Sequence, residues 1–480
     1  MKKHIILIGM GIGSLYVNAY KYIGYSYYNP APITHLTAGK KFRDNNVQYA
    51  SRFEVTTTFV ESYDAEQIAS YLNPFDTKEL RVKESVAANT NPFIDNGAQD
   101  ILSYNFNLVT QNGTFESLLS FSPVKKVFTL GLNVYKECDF GWIQVTLPFR
   151  HMETDMKLQE RILNDGGGAA HDLGNFNIGG NFQVGSMKEA FASKNMKYGR
   201  INGKRKKYGF SDCLVKIGCE YKNNERVYVR PFVGTILPFS NKAQAEYMFE
   251  PILGNGKHFG IVCGSEYGRE FIHDSTRNVT FSGIAQVSYL FANHQIRSFD
   301  PAGKPWGRYM AMFANQQDFV AQKYSFGINE CTKRARVEGG FQFVLNGALS
   351  TVRNGNRIKI AYQNVIRTAN RTETPSDWST PAIASLFTNE SATNPARGIN
   401  NLLDGFKNNA YYGIQDNEVS TATASHRTYL AHQLMLSGTK IWERENGDKY
   451  YIEGCIGGVL GRTNAVPHEW QIQLSAGGCL

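Results

Sequence analysis

The sequence predicts an all-β fold of about twelve antiparallel strands, with ten or fourteen also compatible. Three observations support this. Apolar and polar residues alternate over runs longer than the usual strand of about five or six residues. The links between these runs are alternately short and long. The final run, "HEWQIQLSAGGCL", keeps the alternation up to Leu480.

The N-terminus predicts a leader peptide. Lys2 and Lys3 precede the apolar stretch Ile5 to Leu15, and Val17-Asn18-Ala19 supplies small residues before a cut. This order of basic, apolar and small residues is typical of a secretory signal peptide, here residues 1–19 with cleavage after Ala19.

The alternative interpretation is that Gly9, Gly11 and Gly13, within this segment, belong to a nucleotide-binding loop. The dinucleotide-binding pattern needs a third glycine after Gly-x-Gly, but Ser14 stands at that position. The first acidic residue of the chain is Asp44. A dinucleotide site needs that acid about 20 residues after the loop. We therefore interpret residues 1–19 as a leader peptide.

The strands are predicted from period-two alternation, because successive side chains of a strand point to opposite faces. From Val279, "VTFSGIAQVSYLF" places Val279, Phe281 and Tyr289 on one face and Ser282 and Gln286 on the other. The predicted strands lie near 52–63, 117–137, 141–150, 211–222, 225–237, 258–271, 277–294, 336–352, 357–371, 428–443, 449–461 and 468–480.

The connections divide into two kinds. Asn354-Gly355 and Asn446-Gly447 predict tight hairpins, because this turn requires positive φ at both residues, and Asn223-Asn224 is a similar link. Long connections lie near 64–116, 151–210, 238–257, 295–335 and 372–427. Since short and long links alternate, all long segments are expected at one end of the sheet.

Composition limits the other classes. The chain has 480 residues, a net charge of +9, 13% aromatic residues and 45 glycines. No later segment has the roughly 18 consecutive apolar residues of a membrane helix. The seven cysteines show no CxxC spacing. We therefore predict no metal site, no cofactor and no redox motif.

These features resemble the bacterial outer-membrane β-barrel, or porin-like, family. The resemblance implies an antiparallel transmembrane β-barrel over residues 52–480, with a periplasmic segment at 20–51. It further implies short periplasmic turns, long extracellular loops and a bacterial outer-membrane location. The implied partners are outer-membrane lipid, lipopolysaccharide and the barrel-assembly machinery, although the chain ends on Leu480 and not on the aromatic residue usual in that family. A soluble, secreted all-β protein is the alternative, since its sheets also alternate.

The polar faces would line the barrel interior. The candidate lumen residues are Arg226, Arg230, Arg336, Arg357, Lys359, Arg367, Glu453 and Gln473. Their mixed charges suggest passive diffusion of small hydrophilic solutes through a narrow, twelve-stranded pore. A surface adhesin or receptor with a plugged lumen is the alternative. Short helices are expected in the loops, at "METDMKLQERIL" and "PARGINNLLDGF", as a plug or a cap.

Catalysis and nucleic-acid binding are not expected. His171-Asp172 and His273-Asp274 are neighbouring pairs whose side chains diverge, and no Gly-x-Ser-x-Gly motif occurs. The basic cluster at 204–207 is read as a solvated loop end, with lipopolysaccharide phosphates and nucleic acid as weaker readings. No enzymatic activity is predicted.

Overall fold

A computed structural model gives the fold. It describes residues 51–75, 77–84, 101–108, 110, 112–138, 141–168, 184–223, 226–273, 277–304, 306–321, 323–383, 413–444, 449–461 and 467–479. The predicted leader peptide, the segment 20–50, the sequence "PARGINNLLDGF" and His171-Asp172 therefore lie outside the described residues.

Twelve antiparallel strands form a closed wall. They are β1 Ser51–Ser62, β2 Val124–Cys138, β3 Gly141–Asp155, β4 Arg205–Phe210 with Cys213–Gly218, β5 Val227–Leu237, β6 Gly260–His273, β7 Arg277–Leu290, β8 Gly340–Arg353, β9 Asn356–Arg367, β10 Tyr429–Glu443, β11 Lys449–Gly461 and β12 Glu469–Cys479. Each strand pairs with the next along the chain, and β12 pairs with β1 from Arg52↔Cys479 to Ser62↔Glu469. The prediction of a twelve-stranded antiparallel barrel is confirmed.

Strand β4 is interrupted opposite Pro148. The pairing Phe149↔Phe210 and the pairing Thr146↔Leu214 differ in register by one residue, so β4 carries one extra residue here. Proline has no N–H to donate to the ladder and is therefore found at bulges or edges. The proline in "GWIQVTLPF" thus marks a bulge in the neighbouring strand.

The outward faces of the wall are apolar. Large apolar side chains are exposed on every wall strand except β7, whose outward aromatics are partly covered by their neighbours. One example from each of the other strands is Phe53, Phe128, Ile143, Ile217, Val233, Ile261, Phe341, Ile358, Leu434, Ile452 and Ile472. Soluble monomers rarely expose continuous apolar patches larger than a few hundred Å². A girdle that encloses the barrel fits lipid instead, which argues against the soluble all-β alternative.

The links fall at two ends as expected. Short links at 139–140, 274–276 and 354–355 join wall strands at one end. The links 63–123, 156–204, 238–259, 291–339 and 368–428 lie at the other. At the short end, Asn354 and Gly355 have φ of 49° and 72°, as the predicted Asn-Gly turn requires. Asn446-Gly447 lies outside the described residues.

Several predicted strands have different bounds. The run 117–137 is two strands, Glu116–Ser120 and β2. The run 277–294 ends in the wall at Leu290, and 336–352 enters it only at Gly340. In both cases the apolar alternation continues through a bend, because the adjoining segment forms a second strand that pairs elsewhere.

The helix predicted in "METDMKLQERIL" is wrong. Its first residues continue β3 to Asp155, and Gln159–Asn164 forms a strand paired with Glu116–Ser120. Long-range strand pairing overrides a weak helical spacing here. The three glycines that follow all have positive φ and form a turn.

The described parts of the long links form one packed unit, here named the loop insert. Its helices are α1 Ala65–Leu72, α2 Met187–Ala192, α3 Gln316–Val320 and α4 Gly327–Glu330. Its strands form small sheets, made of Glu79–Lys83, Ile101–Leu102, Glu116–Ser120 and Gln159–Asn164; of Asn293–Ser298, Thr332–Glu338 and Arg371–Thr372; of Ala311–Phe313, Ser325–Phe326 and Ala382–Ile383; and of Asp300–Pro301 and Val419–Ser420. Among the described residues, no helix is long and apolar enough to cross a membrane.

Candidate functional site: the barrel lumen and its loop insert

The inward faces of the wall are mainly polar. Since side chains alternate along each strand, the outward apolar set leaves the opposite parity facing the lumen. Buried inward residues include Thr56, Thr58, Asn133, Gln144, Lys216, Ser288, Gln342, Asn346, Gln363, Gln433, Ser437, Gln471, Gln473 and Ser475. The interior is therefore a hydrogen-bonding surface inside an apolar shell.

Ion pairs lie across this surface near the short-link end. Arg52 contacts Glu54 at 2.9 Å, and its Nη2 donates to the hydroxyl of Tyr451 at 2.9 Å. Lys359 contacts Glu453 at 2.9 Å. All five side chains lie inside the wall. Positive and negative charges are thus held in place by partners, which reduces the cost of keeping them away from bulk water.

Three aromatic rings lie together on one part of the inner face. Trp142 is buried beside Tyr135 and Phe232, with ring centroids 5.7 Å and 6.0 Å away. The guanidinium of Arg230 lies 4.9 Å from the Trp142 ring and ion-pairs with Glu266 at 3.7 Å. The Trp142 ring packs closely against the backbone of the wall at Gly218.

Gly218 provides the space for this ring. A Cβ at this position would lie 2.4 Å from two ring atoms of Trp142 and 2.7 Å from the carbonyl oxygen of Pro231. We expect Gly218→Ala to destabilise the barrel by about 1–3 kcal/mol, because the ring and the backbone must both shift. The measurement is urea unfolding in detergent. Gly438→Ala is the control, since no atom lies within 4 Å of its Cβ; an equal loss in both variants would contradict the account.

The loop insert reaches into the mouth of the barrel. Its core includes Ile68, Phe106, Phe191 and Met312, and it continues onto inward wall residues, among them Val365, Ala431 and Val459. A second contact places Leu253, in the link 238–259, against Val60, Val127 and Met152 of β1 to β3. The sequence allows either a plug or a cap; the wall residues in contact lie on the inner face at the loop ends of their strands, so the insert meets the wall at the mouth of the barrel.

A fully buried ion pair holds the insert together. The Nε and Nη2 of Arg308 donate to the two carboxylate oxygens of Asp300 at 2.6 Å and 2.7 Å, and both side chains are completely buried. The Nη1 of Arg308 donates to the carbonyl oxygen of Ser298 at 3.1 Å. Such two-point pairing fixes the two segments in one arrangement.

Two buried histidines lie where the insert meets the wall. Burial lowers the pKa of His258 to about 3, against a hydrogen bond between its Nδ1 and the carbonyl oxygen of Phe291 at 2.7 Å. Burial also lowers the pKa of His426 well below its usual value. Both side chains are therefore neutral at pH 7.

Acid is expected to loosen the insert. Between pH 7 and pH 5 the unfolded state takes up protons at both histidines and the folded state does not, which costs about 2 kcal/mol each. Glu250 acts in the opposite direction, because burial raises its pKa to about 7. Between pH 7 and pH 5 the folded state takes up a proton at Glu250 and the unfolded state largely does not, which stabilises the folded state by about 2 kcal/mol. The net expected loss at pH 5 is about 2 kcal/mol.

Hydrogen exchange of Asn293–Ser298 at the two pH values, corrected for intrinsic rates, measures this loss. In His258→Asn the difference between pH 7 and pH 5 should fall to near zero. An insert that is more protected at pH 5 would contradict the assignment of neutral histidines.

The structure places six of the eight candidate lumen residues on the inner face: Arg230, Arg357, Lys359, Arg367, Glu453 and Gln473. Arg226 lies exposed beside a short link. Arg336 lies off the wall, on Thr332–Glu338, where it pairs with Glu373. The prediction that Arg336 belongs to a wall strand is wrong, because the strand bends at Gly339 and Gly340.

Sequence reasoning missed other members of the site. Arg52 and Glu54 both lie on the inward face of β1, and the alternation of the sequence was sufficient to predict this. Arg297, Arg308 and Asp300 lie in the insert and carry no periodic signal. The basic cluster at 204–207 begins one residue before β4 and continues onto it, and Lys204 and Lys206 both contact Glu153. Among the described residues no group of acidic, histidine and cysteine side chains could hold a metal ion.

The closed wall, apolar outside and polar inside, defines the class: the chain is an outer-membrane-type β-barrel. No protein-family model matches it, and no curated protein matches it.

Three solved structures show some likeness to this chain. An outer-membrane channel from Pseudomonas putida F1 is 8% identical, with 90% of this chain and 95% of that chain covered and a TM-score of 0.37. A FadL homologue from Pseudomonas aeruginosa is 7% identical, with 90% of each chain covered and a TM-score of 0.25. A loop-deletion mutant of OmpT from Vibrio cholerae is 8% identical, with 90% and 98% covered and a TM-score of 0.24. The class of the protein is defined by the strand pairing and by the apolar outer and polar inner faces of the wall.

Proposed function

We propose that the protein is a channel of the bacterial outer membrane for small hydrophilic solutes, partly closed by its loop insert. The observation that carries this proposal is the polar and charged inner face on a barrel whose outer face is apolar. The pair of Lys359 and Glu453 is one of the charged groups on this inner face.

A second candidate is a receptor or adhesin barrel with a closed lumen. It is favoured by one observation, the continuous core that joins the insert to Val365, Ala431 and Val459 of the wall. The two candidates differ in conduction. We take the first as the main proposal, because the insert meets the wall through its loop-end residues whereas the charged interior lies below them.

The proposal extends to location and partners. The chain would be exported by its leader, inserted by the barrel-assembly machinery, and surrounded by lipid and lipopolysaccharide. It would act without catalysis and without a cofactor. Solutes would reach the lumen past the insert.

Planar-bilayer recording of the purified, heat-modifiable barrel tests the function. We expect small, discrete conductance steps in potassium chloride. Variant Lys359→Gln should change the ratio of anion to cation permeability, because it leaves Glu453 with less compensating charge; the exposed Arg226→Gln is the control. Absence of any step from correctly folded protein would favour the closed receptor barrel.

A further inference from the structure

A groove lies on the outer face of the wall, across β4 to β8, and is here named the outer groove. Its volume is about 580 Å³. The residues that line it on β5 to β8 belong to the loop half of those strands. Ile217, Val233, Ile261 and Phe341 are among them, and each is about half exposed. Because these side chains point away from the lumen, the outer groove opens toward lipid and not toward the solute path.

Small residues leave the space for the outer groove. Gly234, Thr235 and Cys263 are part of its lining, beside the large rings of Tyr289 and Phe341. The centroids of these two rings are 4.9 Å apart. A groove surrounds an apolar chain on more than one side and so makes more dispersion contacts with it than an even surface does. This part of the wall can therefore hold a lipid chain in one place.

The size and the lining of the outer groove fit fatty acyl chains. An apolar cavity of about 150 Å³ holds the six carbons of benzene, so the outer groove has room for on the order of twenty carbon atoms. Its lining is almost entirely apolar. The hydroxyl of Thr235 is already in use, since it donates to the carbonyl oxygen of Gly260 at 3.1 Å. A polar ligand would lose its hydrogen bonds to water here, whereas an acyl chain has none to lose.

Aromatic rings continue from the outer groove to the loop end of the wall. The ring of Phe291 lies 5.2 Å from that of Tyr289 and 5.7 Å from that of Phe259, between ring centroids. In membrane barrels such outward rings gather at the two levels where the hydrocarbon ends. The loop end of the outer groove therefore reaches the level at which the polar head of a lipid begins.

Two lysines lie at the loop end of these rings. Lys257 is exposed and precedes Phe259 by two residues, and its main-chain N–H donates to Oγ of Ser240 at 3.1 Å. Lys242 follows Ser240 by two residues, so the two lysines belong to the same part of the link 238–259. Within the ranges of the chain that the structure describes, neither lysine forms an ion pair.

The carboxylates close to these lysines have other partners. Asp212 accepts hydrogen bonds from the hydroxyl of Ser240 at 2.6 Å and from the main-chain N–H of Asn255 at 2.6 Å. Glu250 accepts from the main-chain N–H groups of residues 244 and 245, at 2.9 Å and 3.0 Å. The two ammonium groups are therefore available to an anionic group from outside the chain.

We propose that the outer groove binds acyl chains of lipopolysaccharide and that Lys257 and Lys242 bind its phosphate groups. One amphiphile matches both features, because its chains are apolar and its phosphates lie at the level where the hydrocarbon ends. The inference rests on the proposed outer-membrane location, in which the long links face the leaflet that contains lipopolysaccharide. The bound lipid would stabilise the wall across β4 to β8, since it binds the folded barrel and not the unfolded chain.

Retention of lipopolysaccharide by the purified full chain tests the outer groove. The chain is extracted from outer membranes in mild detergent, and native mass spectrometry counts the lipids that remain bound. Cys263→Phe fills the groove and should weaken retention about tenfold, since loss of contact with about two methylene groups is sufficient for that. Ala476→Phe is the matched control, because Ala476 is an exposed small residue on β12 and does not line the groove.

The two lysines are tested by adding lipid back to delipidated protein. Purified lipopolysaccharide should raise the Tm of the natural protein more than dephosphorylated lipopolysaccharide does. In the double variant Lys242→Gln, Lys257→Gln the affinity for the phosphorylated form should fall about tenfold, because charge-assisted hydrogen bonds are lost. Lys323→Gln, which changes an exposed lysine elsewhere on the insert, is the control and should behave as the natural protein.

Three results would overturn the assignment. Equal retention by the natural protein and Cys263→Phe would show that lipopolysaccharide does not occupy the outer groove. Retention of phosphatidylglycerol in its place would show that the occupant is a phospholipid. Dimers of the natural protein that are lost in Cys263→Phe would show that a second copy of the chain covers the groove.

This inference and the proposed function fail under different results. Recovery of the chain outside the outer membrane would remove the proposed location and the lipid site together. Conductance from a barrel whose retained lipid does not depend on Cys263 would leave the channel and remove the site. Retention that depends on Cys263 in a barrel without conductance would leave the site and remove the channel.

Discussion

Asp300→Asn is expected to loosen the loop insert by about 3–5 kcal/mol. The change leaves the guanidinium of Arg308 buried without its counter-charge, and breaking one partner of a buried pair has a cost of this size. Both side chains are fully buried, so water cannot replace the lost contact. The wall strands do not depend on this pair and should keep their fold.

Hydrogen exchange measures the effect. Amides of Asn293–Ser298 and of Gly307–Tyr309 should exchange at least about a hundredfold faster, whereas amides of β10 and β11 should not change. Glu373→Gln is the control, because its pair with Arg336 is exposed and such pairs contribute about 0–1 kcal/mol. Equal effects of the two changes would show that the buried pair does not hold the insert.

The same variant links the insert to conduction. If the insert closes the mouth, a looser insert should increase the mean conductance of Asp300→Asn in planar bilayers relative to Glu373→Gln. Unchanged conductance together with faster exchange would mean that the solute path avoids the segments held by Asp300 and Arg308.

Leu345→Arg is expected to cost about 2–4 kcal/mol when the protein is folded in a bilayer. Leu345 lies near the middle of β8, faces outward and is 59% exposed. On a lipid-facing surface an arginine near the bilayer midplane carries a penalty of this size, whereas on a water-facing surface it would cost almost nothing.

Folding yield into lipid vesicles and urea unfolding measure this difference. Val320→Arg is the matched control, because Val320 is 77% exposed on the insert helix α3 and is expected to face water. The account predicts a large loss for Leu345→Arg and none for Val320→Arg. If Leu345→Arg is as stable as the natural protein in vesicles, the outward apolar face does not contact lipid.

Much of the wall could be predicted from sequence, because a strand shows its two faces in its own alternation. The strand ending at Gly461 and the turn at Asn354-Gly355 follow from residues that are neighbours in the chain. The bulge of β4 opposite Pro148 was only partly predictable. Pro148 indicates a break in the pairing of its own strand, β3, but the extra residue lies in the partner strand, β4.

The insert could not be predicted in this way. Its strands are short, and Gln159–Asn164 reads as a helix until its partner Glu116–Ser120 is known. The buried pair of Arg308 and Asp300 also lies in the insert, and no periodic pattern in the sequence predicts it.

The most direct test of the central claim is recovery of the full chain in the outer membrane, followed by gel electrophoresis of boiled and unboiled samples. The account predicts outer-membrane recovery and a faster-migrating band in the unboiled sample, because a closed twelve-stranded barrel resists unfolding by detergent. Recovery in the soluble fraction, with one mobility before and after boiling, would contradict a closed membrane barrel and with it the channel.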